Sequence, residues 1–226
     1  MPGLIALAIF LVALSFFVGG YFLSSTFYYK KHDVKYAIKR MFPYEFNYPN
    51  AFKNNIYGNI AFVISIVGVI SFYIYYMSVC ANKIVPLYIV IVLAILISSM
   101  IACLFFMPLQ YLRTHIIISS LTMVFAFAIP ALECCYIFPL LKVATESSDK
   151  AIYITAIVVG IILSLAMLIF SLNPKATYKI YLDKSVDKNG NEVMMRPSFI
   201  PIAFNEWWSI ITFVLSPIPF IIINFI

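Results

Sequence analysis

Glu133 is the one acidic residue that stands well inside a long apolar run of this sequence. A carboxylate at mid-bilayer costs about 2.5–3.5 kcal/mol on insertion scales, so such a group faces a cavity, a partner or a second polar chain. The chemistry it offers is that of an ion or proton site. A structural carboxyl near the headgroups fits the same pattern, and both readings stay open. Pro130 and Pro139 flank it. Each removes an amide donor and frees a carbonyl about four residues back, which predicts a kinked helix with polar backbone at Ala126 and Cys135. Broken helices beside an ionisable group are a transporter-like feature. The expected partners are Ser65, Ser71, Ser98, Ser99, Thr155 and Ser164 on other spans, or Lys83, Lys142 and Lys150 across the outer surface.

Arg113 and His115 mark the inner mouth of the same run. Arg113 suits a lipid phosphate, and His115 is of the one residue type that titrates near neutral pH. Glu45 and Glu206 are expected at headgroup level, available to a partner or to Arg113. Lys35, Lys39, Arg40, Trp207 and Trp208 complete an inner face that contacts lipid or a partner. Cys80, Cys103, Cys134 and Cys135 show no metal-ligand spacing. They read as small apolar packers, with one bridge from Cys80 to Cys134 or Cys135 left open. There is no phosphate-binding GxxxxGK[ST], no HExxH and no G-x-S-x-G. No catalytic residue, cofactor or metal is therefore assigned, and the mixed acids and bases of the loops exclude a nucleic-acid stripe.

The elements that must hold these residues follow from composition. Of 226 residues, 64% are hydrophobic and 11% charged, whereas a soluble domain is about half apolar and a quarter charged. That excludes a soluble or disordered chain and leaves an integral membrane protein. Six runs are long enough to cross the hydrocarbon: residues 4–23, 57–79, 85–108, 116–140, 151–172 and 207–226. They are continuously apolar instead of alternating, so they predict an all-α fold and not a barrel. The expectation is one six-helix transmembrane domain over residues 1–226. The first run has no basic residues before it and no small-residue cleavage site after it, so it is expected to be a retained helix.

Basic residues set the orientation. Twelve fall in segments 24–56, 109–115 and 173–206, and three on the other side. The side with twelve is placed inside, and both termini outside. Within the first inner segment, Asp33 is expected to cap a short interfacial helix over 34–42, with Val34, Ala37, Ile38 and Met41 on its apolar face. The aromatics of 41–50 then sit at headgroup depth, and Asn50, Asn54 or Asn55 caps the second span. In the last inner segment, 178–182 and 193–195 with the turn 188–191 predict a small β-hairpin. Asn205-Glu206 is expected to cap the last helix before the interfacial pair Trp207-Trp208.

Small residues recur at helical spacing at Ala156, Gly160 and Ser164, and again at Ser15 and Gly19. Such faces allow close helix contact, within the chain or with another membrane subunit. Three function classes remain. The first is a transport-related protein, either a small permease or the membrane subunit of a larger transporter. The second is a non-catalytic scaffold or assembly factor. The third is an intramembrane enzyme acting on lipid. Lys outnumbers Arg twelve to three, which matches AT-rich coding and points to the plasma membrane of a low-GC bacterium, or to an organelle membrane. The topology has a direct check. In a chain whose native cysteines are replaced, a thiol introduced as Asn189→Cys is expected to react with an impermeant reagent only after the membrane is opened. Labelling in intact cells would reverse the orientation.

Overall fold

A segment crossing lipid has no water to satisfy its amides and must close its own backbone hydrogen bonds, which the helix does. The structure, a computed structural model, describes residues 2–47, 55–80, 85–107, 109–172, 183–186 and 192–224. Its helices are α1 (Pro2–His32), α2 (Ile56–Tyr75), α3 (Val85–Phe106), α4 (Leu112–Val143), α5 (Ser147–Ser171), α6 (Pro201–Leu215) and α7 (Ile218–Ile223). A π-helical turn, Tyr76–Cys80, extends α2. With α6 and α7 counted as one segment, six are long and apolar enough to cross a membrane. The chain is a multi-pass membrane protein. Its exposed faces carry large apolar side chains such as Leu11, Val63, Val92 and Ile162.

The last segment is the axis of the bundle. In its most apolar stretch 72% of residues are buried, against 22–39% in the other five, and α6 touches all five other long helices. Around it, α1 lies along α2 and α4 along α5. Both pairs approach closely because small residues meet there. A Cβ placed on Gly68 of α2 would stand 2.7 Å from the Ala13 Cβ of α1. One on Gly160 of α5 would stand 2.5 Å from Cys134 Sγ and 3.3 Å from the Pro130 carbonyl oxygen of α4. Ala156, Gly160 and Ser164 thus face inward, and Ser164 donates to the Phe127 carbonyl at 3.2 Å. Ser15 is exposed and a Cβ on Gly19 would meet nothing within 4 Å. The inward face of α1 is instead Ala6, Phe10, Ala13, Gly20 and Ser24. Gly3 and Asn224 are neighbours, so both ends of the described chain lie at one end of the bundle.

At the opposite end the chain departs from the expected interfacial helix. α1 runs on to His32, and Asp33 ends it in the left-handed region (φ 52°), its amide donating to the Tyr29 carbonyl at 2.8 Å. Asp tolerates this conformation better than most residues, so it closes a helix here and starts none. Residues 34–42 form no helix. They fold through a turn at 38–40 and enter the bundle, followed by a single 3₁₀ turn, Pro43–Phe46. Tyr36, Met41, Phe42 and Phe46 are buried within the bundle. The amphipathic spacing was real, but bundle rings compete better for these aromatics than an interface does. Trp207 sits edge-on to Tyr21, Tyr36, Phe46 and Phe105, with centroids 5.6–6.0 Å away.

Polar groups pin this plug. Trp207 Nε1 donates to Tyr36 Oη at 2.9 Å and to the Met41 carbonyl at 3.0 Å. Tyr36 donates to the Phe42 carbonyl at 2.7 Å. Burial first, and then the Glu45 carboxylate, hold the Tyr36 phenol well above its ordinary range, so it remains a donor. Asn47 donates to the Phe105 carbonyl and accepts from Asn59, both at 2.9 Å. Asn55 stands at the N-cap position of α2 but its side chain makes no capping hydrogen bond, while Asn50 and Asn54 lie outside the described residues.

α6 begins six residues earlier than expected. Pro201 opens it, where the missing amide is no loss. Asn205 and Glu206 are consequently inside the helix and cap nothing; Asn205 donates to the Phe170 carbonyl of α5 at 2.8 Å. Two strands, β1 (Asp183–Val186) and β2 (Glu192–Met195), pair antiparallel with Asp183 opposite Met195. The expected strand 178–182 and turn 188–191 lie outside the described residues. The tight α1–α2 seam makes a clear prediction. Gly68→Ala should cost about 1–3 kcal/mol through overpacking against Ala13, whereas Gly19→Ala should stay within about 0.5 kcal/mol. Unfolding midpoints of the two variants in mixed micelles check this.

Candidate functional site

Helix α4 continues through both Pro130 and Pro139 and presents one face inward. That face bears His115, Ser119, Thr122, Ala126, Ile129 and Glu133, each fully buried. Their spacing of three and four residues is that of a single helical stripe. At the end nearer the chain termini, the stripe places Glu133 against α2 and the α6–α7 break. Ser216 closes α6, its hydroxyl donating to the Phe213 carbonyl at 2.7 Å, and Pro217 and Pro219 follow. Tyr73 of α2 reaches between them. Its hydroxyl is 2.7 Å from Glu133 Oε1 and 2.6 Å from Ser216 Oγ.

The hydrogens of this chain can be counted. Three contacts run from Glu133 through Tyr73 and Ser216 to the Phe213 carbonyl. Each needs one hydrogen, and the carbonyl can only accept. The two hydroxyls supply two. With Glu133 ionised, Tyr73 donates to it, and Ser216 must choose between Tyr73 and Phe213. A proton on Glu133 provides the third hydrogen and completes the series. Glu133 Oε2 has no hydrogen-bond partner among the described residues.

The partners differ from those expected. Ser98, Ser99 and Thr155 donate back to their own helices, to the Ala94, Ile95 and Ala151 carbonyls. Ser164 bonds α4 at Phe127, Ser71 lines an apolar groove on the outside of α1 and α2, and Ser65 is buried without a partner among the described residues. Lys142 stacks on Phe138 at 4.8 Å instead of reaching the carboxyl. Tyr73 was masked in the sequence by its apolar neighbours. The only signal was a phenol in a helix able to face the bundle, which sixteen tyrosines made unselective.

At the plugged end the other predicted residues separate into two groups. Lys35, Lys39 and Arg113 are exposed, and Arg40 and Trp208 are partly so. His115, Glu206 and Trp207 are fully buried and cannot contact lipid. His115 Nε2 lies 2.8 Å from Glu206 Oε1, and its Nδ1 lies 3.0 Å from the Met107 carbonyl. Glu45 does not meet Arg113. Both of its oxygens take the Arg196 guanidinium at 2.7 Å, and Oε1 also accepts from the Phe42 amide. Burial alone would lower the Arg196 pKa, but the hydrogen bond to Glu45 raises it, so the guanidinium stays charged. Cys103, Cys134 and Cys135 are free thiols. Among the described residues no cluster of His, Cys, Asp and Glu could hold a metal ion.

Comparison with protein-family models, with curated proteins and with solved structures finds no match. The functional reading therefore rests on geometry.

Proposed function

We propose that this chain is a transport-related membrane protein, a small permease or the membrane subunit of a larger transporter, in which Glu133 binds and releases a proton. The observation that carries this reading is the wholly buried Glu133 carboxyl, hydrogen-bonded to Tyr73 of a second helix with its other oxygen unpartnered. A carboxyl kept only for packing would have both oxygens satisfied, since an unmet buried acceptor costs about 1–3 kcal/mol. The α6–α7 break at Ser216–Pro217 supplies the interrupted helix that accompanies many intramembrane ion sites.

In the same reading, the plugged end faces the cytoplasm of a low-GC bacterium across its plasma membrane. The basic loops, including Lys35, Lys39, Arg40 and Arg113, meet anionic lipid there, the β1–β2 ladder stands on that face, and both termini are outside. The open Ser15–Gly19 face of α1 is where a second membrane subunit would lie closest.

Liposomes holding the full chain should dissipate an imposed pH gradient faster than empty ones. Glu133→Gln should return the rate to that of empty liposomes while inserting to the same level. Tyr73→Phe should slow it by about tenfold, because it removes the hydroxyl that links Glu133 to Ser216. Equal rates for the unaltered chain and Glu133→Gln would contradict the reading.

A further inference from the structure

His115 and Glu206 form a second buried arrangement with a countable hydrogen. The Met107 carbonyl can only accept, so the imidazole nitrogen 3.0 Å from it, Nδ1, carries a hydrogen. That fixes the tautomer and leaves Nε2 facing Glu206 Oε1 at 2.8 Å. The contact requires one more hydrogen, donated by an imidazolium or by a carboxylic acid. Either way the pair is neutral overall, and both side chains are fully buried. Without that hydrogen, a ring lone pair would face a buried carboxylate, a repulsive contact in a medium that screens little. There is also room for a further proton. Among the described residues Glu206 Oε2 has no hydrogen-bond partner, and neither has the hydroxyl of Ser119, one turn along α4 from His115.

The surroundings favour a proton over a metal cation. Phe42 and Tyr44 stand edge-on to the imidazole at 6.1 and 6.0 Å and close it from the plug side. From the 3₁₀ turn, the one charged group acting on Glu206 is Glu45, which is already held by Arg196. Arg113, two residues away on α4, is exposed. A metal ion would need several oxygen ligands, whereas this site presents an imidazole with a fixed N–H and one carboxyl.

We propose that the His115–Glu206 pair is an exchangeable proton-binding site, separate from Glu133 and near the opposite end of α4. Eighteen residues of helix put the two about 27 Å apart. The second site does not depend on the first.

The chain has two histidines, so His32→Gln leaves His115 as the sole imidazole. The full chain with this change, labelled with 15N-histidine and reconstituted in liposomes, is titrated by solid-state NMR between about pH 5 and pH 9, the range histidine spans. Nδ1 should remain protonated throughout. Nε2 should pass in one reversible step from a protonated nitrogen in acid to an acceptor as pH rises. Exchanging sodium for potassium at fixed pH should leave the step unmoved. Glu206→Gln should shift it by about tenfold or more in proton concentration, and Glu133→Gln should leave it in place. An Nε2 signal constant across the range would overturn the proposal. So would a step that moves with either cation, or one unchanged by Glu206→Gln. Loss of proton flux in Glu133→Gln with this step absent would spare the Glu133 reading and reject this one.

Discussion

The contact of Tyr73 with Glu133 ties together three segments that the rest of the bundle must bring into register. Tyr73 comes from α2, Glu133 from α4, and Ser216 from the break between α6 and α7. In hydrocarbon a carboxyl has no water to turn to, so its position is affordable only where another helix supplies hydrogen-bonding groups. The close seams elsewhere serve that end. Gly160 lets α5 press on α4 at Pro130 and Cys134, three residues before Glu133 and one after it. Stacking of Tyr76 on Phe220, with centroids 4.5 Å apart, aligns α2 with α7 one turn beyond Tyr73.

The other end obeys the same constraint by different means. Residues 34–47 are irregular backbone inside a membrane protein, tolerated where they are buried in protein and their polar groups are met. Asn47, Asn59, Trp207 and Tyr36 meet them. The bidentate Glu45–Arg196 pair joins this plug to the strand leading into α6, and the Ile200 amide donates to the Lys39 carbonyl at 2.8 Å beside it. Beneath lies the His115–Glu206 pair. Each end of the central stripe on α4 thus holds one carboxyl, and each carboxyl has one oxygen without a hydrogen-bond partner among the described residues.

What could be read in advance was what depends on length and composition. The six spans follow from continuous apolar runs, whereas the cost of a carboxylate in lipid leaves Glu133 open to a buried site or to a place near the headgroups. Its neighbours did not follow, because a helical face can be read within one segment but the rotation of one segment against another cannot. Ser98 and Ser99 were as eligible as Tyr73 until α2 and α3 took their orientations. The plug departs from its sequence pattern for a related reason. The spacing of Val34, Ala37, Ile38 and Met41 suits an interfacial helix, yet the cavity among Tyr21, Phe62, Phe105 and Trp207 accepts Tyr36 and Phe46 instead. Glu206 was placed at the headgroups because α6 was expected to begin beside it; Pro201 starts the helix earlier and carries Glu206 into the core beside His115.

The central claim is that Glu133 completes its hydrogen-bond series by holding a proton. Infrared spectroscopy of the reconstituted full chain at neutral pH reads this directly in the carbonyl stretch of a protonated carboxylic acid. The account predicts an absorption there that Glu133→Gln removes and that Tyr73→Phe shifts in frequency through the lost hydrogen bond. An identical absorption in the unaltered chain and in Glu133→Gln would mean that Glu133 is ionised, and would contradict the account.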